Sequence, residues 1–156
     1  QGQMLYFDLD VVIVRDLQWI FNLDPNYFYG IRDFRHLQGK HNVTINSSCM
    51  WWNVADYSGV WDKFLKDGPQ DVAKRFHGDQ DYIAQAVDYN RRRFFDDKHF
   101  ESFRWQCWQG GYDFQRRVYR QPGTGVKIDS NTSVVVFHGH PKPHECKDPE
   151  VVKLWV

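Results

Sequence analysis

A chain of 156 residues, 42% hydrophobic and 17% aromatic, is long and apolar enough to bury a core in one domain over 1–156, which excludes a disordered chain. Twenty Lys and Arg balance twenty Asp and Glu, and that balance argues against the one-sign surface that broad nucleic-acid binding needs. No stretch approaches the roughly 20 apolar residues of a membrane span, and three cysteines without paired spacing (Cys49, Cys107, Cys146) predict free thiols in a reducing, cytoplasmic setting.

The elements follow in chain order. Met4 to Phe7 and Val11 to Val14 are apolar runs that read as buried strands, broken by Asp8-Leu9-Asp10. Asp16 is placed to cap a short helix through Phe21, and Asp24-Pro25-Asn26 is a turn signal. Tyr27 to Phe34 alternates as a strand, ended by Gln38-Gly39-Lys40, and Val43 to Val54 reads as a strand with a polar insert, Asn46-Ser47-Ser48. Tyr57 to Lys66 has a helical face at Val60, Trp61, Phe64 and Leu65, stopped by Gly68-Pro69. A helical turn at 70–76 and a helix over 79–89 come next, the latter with Tyr82, Ile83, Ala86 and Val87 inward. Arg91-Arg92-Arg93 reads as a solvated run, with a phosphate role as the sharper alternative. Residues 94–128 predict short strands and long loops, 133–137 a strand, and 148–156 a closing helix with Pro149 at its first position. Strands alternating with helices indicate an α/β layered domain.

Three segments carry chemistry. Asp8 and Asp10 sit just after a hydrophobic strand, where α/β sheets bind ligands, and two carboxylates there suit a hard cation such as Mn²⁺ or Mg²⁺ shared with substrate phosphates. The plain alternative is a pair of capping or surface residues. His138-Gly139-His140-Pro141-Lys142-Pro143 follows a strand directly: an imidazole can complete a metal's coordination, and Lys142 supplies a point charge for phosphate. An ordinary turn competes with this reading, as does a zinc site from His138, His140, His144 and Cys146, whose crowded spacing matches no standard pattern. His77-Gly78-Asp79-Gln80-Asp81 offers a carboxylate and a carboxamide at a helix start, where Asp79 can act simply as the cap.

Four segments, taken in order, resemble the glycosyltransferases of the glycogenin and bacterial galactosyltransferase type. They are Tyr6-Phe7-Asp8-Leu9-Asp10, Asn46-Ser47-Ser48-Cys49-Met50, Gly78-Asp79-Gln80-Asp81 and Gly139-His140-Pro141-Lys142-Pro143. The resemblance implies a GT-A-like mixed sheet flanked by helices, and transfer of a hexose from a nucleoside diphosphate sugar such as a UDP-hexose to a glycan acceptor. It also implies roles: Asp8 and Asp10 hold Mn²⁺ and the donor, with Asp8 near the ribose. Asn46 and Ser47 line the donor-sugar pocket, Asp79 and Gln80 flank the transferred sugar, and Lys142 binds the diphosphate. The family's metal-binding His usually lies six residues before that Lys, where this chain has Val136; His138 is the nearest substitute.

The family also places a nucleotide-binding βαβ unit ahead of the Asp-x-Asp strand, and nothing in these residues corresponds to it. The chain is therefore expected to be the C-terminal metal, diphosphate and acceptor portion of such an enzyme, with an open sheet edge that invites a homodimer. The acceptor pocket is expected within 94–125, with Trp105, Trp108 and Tyr112 as stacking candidates against a plain core role. Two other readings stand beside transfer. One is an inactive remnant that binds sugar or metal without turnover. The other is an Asp-x-Asp phosphatase, whose signature needs a small hydroxyl residue where this chain has Val12.

Overall fold

The computed structural model describes residues 2–41, 44–108 and 125–154, together with the backbone at 112–113 and 118–119. The elements in chain order are β1 (Gln3–Phe7), β2 (Val11–Ile13), β3 (Phe28–Arg32), β4 (Ile45–Asn53), α1 (Val54–Asp67), α2 (Pro69–Arg75), α3 (Asp79–Ala86), β5 (Arg92–Phe94), β6 (Phe100–Ser102), β7 (Tyr112–Asp113), β8 (Val118–Tyr119), β9 (Val134–Val136) and α4 (Pro149–Val152). This is a mixed α/β architecture. The chain divides into two compact units, Gln1–Asp8 with Trp19–Phe95, and Leu9–Gln18 with Asp96–Val156.

The first unit is a four-stranded mixed sheet in the order β1-β4-β3-β5. Its central strand β4 is antiparallel to β1 and β3, while β5 runs parallel to β3. Because β4 is flanked on both sides, Ile45 and Ser47 to Trp51 are all buried. The sequence reads Met4 to Phe7 as buried too, and there the structure differs. β1 is the outer strand, and Met4 and Tyr6 are 45% and 40% exposed. An apolar run alone does not distinguish a covered strand from an edge.

Helices cover the sheet. Asn53 caps α1 by accepting from the Ala55 amide (3.1 Å). Gly68 ends α1 at φ 81° and Pro69 opens α2, the expected division of labour between the two residues. Phe28, Ile45, Met50, Tyr57 and Val87 form the core beneath α1 and α3, and each such side chain contributes about 1.5–3 kcal/mol by leaving water. Of the four residues expected to face inward from the first helix, Trp61 and Leu65 are instead 62% and 52% exposed.

The polar insert at Asn46-Ser47-Ser48 is a bulge. The β3–β4 register runs Tyr29 to Trp51 and Gly30 to Met50, then jumps to Ile31 opposite Asn46. Gly30 sits at that jump, where a Cβ would meet Ile45 Cβ at 3.0 Å and press it aside.

The second unit is built on a three-stranded sheet, β2-β9-β6, with β9 antiparallel to β2 and parallel to β6. β9 is central, which is why Val134, Val135 and Val136 are all buried. Val12, Phe103, Cys107, Val135, Phe137, Cys146 and Val151 pack as its core, with the Phe103 and Phe137 rings stacked at 4.2 Å. A π-helical turn at Phe103–Cys107 follows β6. Asp148 caps α4, which starts at Pro149 as expected. All three cysteines are free and buried. Among the described residues no helix is long and apolar enough to cross a membrane.

Candidate functional site

The Asp-x-Asp motif straddles the two units: Asp8 closes the first and Leu9 opens the second. In the second unit, Asp10 leads into β2 while its carbonyl accepts from the Phe137 amide at 2.9 Å, at the end of β9. The loop that leaves β9 then carries Lys142 back, and its Nζ lies 2.5 Å from Asp10 Oδ2. Side-chain exposures of 35% for Lys142 and 23% for Asp10 make this a half-buried pair. Such pairs contribute about 0–1 kcal/mol to stability, so folding alone is a weak reason for the contact.

The loop is held in several places. Arg104 Nη2 donates to the His140 carbonyl (2.8 Å). Glu145 accepts from the Lys142 amide (2.7 Å) and lies 2.9 Å from His140 Nδ1. His140, and after it the Lys142 backbone, holds the Glu145 carboxyl below its ordinary pKa. Gly139 turns the chain at φ 85°, directly against the Arg104 guanidinium.

His138 Nε2 lies 2.6 Å from Ser102 Oγ, and the ring stands edge-on to Trp105 at 4.6 Å. As found, Nε2 engages that hydroxyl. Val136, at the position of the family's usual histidine, is fully buried in β9. Trp108 packs on the core of this unit beside Phe103, which favours the packing reading there. The side chain of Tyr112 lies outside the described residues.

In the first unit, the Asp8 amide donates to the Ser48 carbonyl (3.0 Å), and its Oδ1 accepts from Tyr6 (2.8 Å). Asp8 is thereby bound to the bulge that carries Asn46 and Ser47. Asn46 Oδ1 accepts from the Ser48 amide (3.0 Å) and Ser47 is buried. Burial first, and the Asp8 charge second, push the Cys49 thiol well up.

Gln80, in the first turn of α3, donates to Asp33 Oδ2 (2.8 Å). The Arg35 guanidinium grips the same carboxylate, Nη2 reaching Oδ2 at 2.7 Å. Burial alone would raise the Asp33 carboxyl, but the bonds from Arg35 and Gln80 outweigh it and hold it below its usual range. Asp79 does not cap the helix as its position suggests. Gly78 occupies the cap without a side-chain bond, and Asp79 is the first helical residue. Asp79 lines a cavity of about 590 Å³, otherwise mostly apolar, whose walls include Trp61, Phe64, Phe76 and Tyr82. Asp33 and Arg35 escaped the sequence reading, since nothing in the chain links residue 33 to residue 80.

The donor chemistry suits a hard divalent cation. Asp10 already draws an ammonium, and oxygen donors are what Mg²⁺ and Mn²⁺ take. Among the described residues no three His, Cys, Asp or Glu side chains converge, so such a cation would complete its shell with phosphate oxygens and water, its usual habit. The zinc alternative is not assembled either, because His140 faces Glu145 and Cys146 is buried in the core.

No protein-family model matches the chain, and no curated protein matches it. Solved structures do. GlyE, a glycosyltransferase of Streptococcus pneumoniae TIGR4, superposes with TM-score 0.66 at 16% identity, over 99% of this chain and 39% of its own. An active-site Gln-to-Glu mutant of LgtC gives 0.63 at 12%, and the galactosyltransferase LgtC in complex with donor and acceptor sugar analogues gives 0.60 at 13%, each over 99% of this chain and 60% of its own. The chain thus spans about two to three fifths of the length of these structures, and over that span it has a GT-A-like glycosyltransferase fold.

Proposed function

We propose that this chain is the metal-, diphosphate- and acceptor-binding portion of a glycosyltransferase that moves a hexose from a nucleoside diphosphate, such as a UDP-hexose, to a glycan acceptor. The observation that carries the reading is the meeting of Asp10 and Lys142, residues 132 positions apart, at 2.5 Å. A leaving diphosphate needs a fixed positive charge beside a carboxylate that can hold a cation.

Asp10, with Asp8 two residues earlier, would hold Mn²⁺ or Mg²⁺, the rest of its shell being phosphate oxygens and water; His138, engaged by Ser102, is left out of that set. A bound cation supplies Lewis-acid neutralisation of diphosphate charge. Lys142 exchanges its bond with Asp10 for one to a diphosphate oxygen and stabilises the departing anion. Asp8 accepts a hydrogen bond from the ribose, and Asn46 and Ser47 line the donor sugar. Asp79 and Gln80 flank that sugar, Gln80 with its amide oriented by Asp33. The bond between the anomeric carbon and the diphosphate oxygen breaks with its electron pair going to the diphosphate. The acceptor hydroxyl oxygen then bonds that carbon and passes its proton to the departing diphosphate oxygen. Support for Gln80 is that an active-site glutamine was the residue altered in LgtC, and support for paired donor and acceptor sites is LgtC with analogues of both sugars bound.

The outer strand β1 is proposed to pair with a second copy, forming a homodimer. Light scattering on the chain and on Tyr6→Lys, which places charge on that strand, tests this; equal masses for both would refute it.

The phosphatase reading has little support. Val12, where a hydroxyl residue is needed, is 3% exposed and packed in the core. Calorimetry with UDP in the presence of Mn²⁺ tests the transfer reading. Mn²⁺-dependent binding through the diphosphate, at least tenfold weaker in Asp10→Ala, is expected; equal binding by both proteins would remove it. Binding without any turnover of UDP-hexose would favour the remnant.

A further inference from the structure

The three consecutive arginines do not form one solvated face. Arg91 points elsewhere: Nε and Nη2 donate to the Asn26 carbonyl (3.1 and 2.8 Å), Asp56 lies 3.6 Å away, and the guanidinium covers the Tyr57 ring at 5.2 Å. Arg92 and Arg93 open β5 and line a separate cavity of about 600 Å³ with His41, Thr44, Tyr89 and Asn90.

The lining of this cavity has one sign. No carboxylate is among the described residues that line it. Asp88, the neighbouring acid, is turned onto the Asn90 amide (2.9 Å). Arg93 Nη1 donates only to the carbonyls of Asn90 and Arg92 (2.9 and 2.8 Å), and among the described residues neither guanidinium has a carboxylate partner. Arg92 Nε and Thr44 Oγ1 are buried without a hydrogen-bond partner. A buried guanidinium donor without an acceptor, as at Arg92 Nε, is costly, and an anion in the cavity would supply that acceptor.

The guanidinium groups are also aimed. Arg93 lies over Tyr27 at 3.9 Å and Arg92 over Tyr89 at 4.9 Å. Stacking fixes the guanidinium plane and so prepays part of the ordering cost of a forked contact. That fork matches the oxygens of phosphate, sulfate and carboxylate.

We propose that this cavity is a binding site for a small oxyanion, a phosphate, sulfate or carboxylate group, held by Arg92 and Arg93 with Thr44 and Asn90 at its edge. The assignment does not depend on sugar transfer, since the cavity contains none of the residues given a role in that reaction.

Titration calorimetry on the whole chain with glucose 6-phosphate, glucose 6-sulfate, glucuronate and inorganic phosphate tests it, with glucose as the neutral control. At least one anion is expected to bind, and glucose is not. Arg92→Gln and Arg93→Gln should each weaken binding about tenfold, the loss expected for a charge-assisted bond. A sugar phosphate that binds more tightly than inorganic phosphate identifies a sugar-borne group; equal affinities identify the free anion. Should either variant fail to fold, competition between the anions on the wild type and the fall of affinity with added chloride report the same charge dependence. Glucose binding as well as the anions, no anion binding up to about 10 mM, or unchanged affinity in both folded variants would overturn the proposal.

Discussion

Gln80 donates its side-chain amide to Asp33 Oδ2 at 2.8 Å, so the orientation of a glutamine on α3 is set by a carboxylate at the end of β3, 47 residues earlier. The same carboxylate caps the helical turn at Phe34–Gln38 by accepting from the Arg35 amide at 2.8 Å. One buried group thus links a helix, a strand and a turn.

Asp33→Asn keeps a capping acceptor but loses the charge. It should lower stability at pH 7 by about 1–3 kcal/mol, the range for bonds to a charged buried acceptor. The folded Asp33 carboxyl sits below its ordinary value of 3.8. Its stabilisation is therefore present above that value and lost as pH falls through the lower, folded value. Urea midpoints for the two proteins should differ at pH 7 and converge as pH falls below 3.8; a constant gap would show that the charge is not the cause.

Gly139→Ala is expected to loosen the loop that carries Lys142. Alanine at φ 85° is strained, and its Cβ would press on the Arg104 guanidinium, with Cζ at 2.9 Å. The cost should be about 1 kcal/mol or more. Adding Arg104→Ala would relieve the crowding and leave the backbone strain, so the double variant should recover only part of the loss in chemical denaturation.

Phe137→Ala removes a ring that is 1% exposed and stacked on Phe103. It should destabilise the second unit by about 3–5 kcal/mol, visible as an earlier urea transition. A loss under 1 kcal/mol would mean that the ring pair is not a core contact.

The thiols offer a check of the interior. Burial raises the pKa of Cys49, Cys107 and Cys146, in each case as the leading cause. Reaction with a disulfide reagent at pH 8 should be slow in the folded chain and reach all three thiols in denaturant. Fast labelling of the native protein would contradict the packing of both cores.

What the sequence revealed, and what it withheld, follows the range of each interaction. Local signals were legible: Gly68-Pro69 separates two helices, Asp148 and Pro149 start the last one, and the valines at 134–136 form a central strand. Asp10 and Lys142 both stood out in the sequence, and the structure brings them to 2.5 Å of each other. Pairings between distant segments were not legible. The exposure of β1 depends on its edge position, the bulge at Asn46-Ser47-Ser48 on the register with β3, and the hold on Gln80 on Asp33. The arginine run is in part exposed, as its charge predicts, while its position on a strand beside a cavity was not legible from a single sequence.

The central claim is that Asp10 and Lys142 together handle a sugar diphosphate. Its most direct test is the Mn²⁺-dependent release of UDP from a panel of UDP-hexoses by the wild type, Asp10→Ala and Lys142→Ala. The account predicts a measurable rate for at least one donor and a fall of about 100-fold or more in each variant, the scale of losing a main charge-stabilising group. Rates in both folded variants equal to that of the wild type would contradict it.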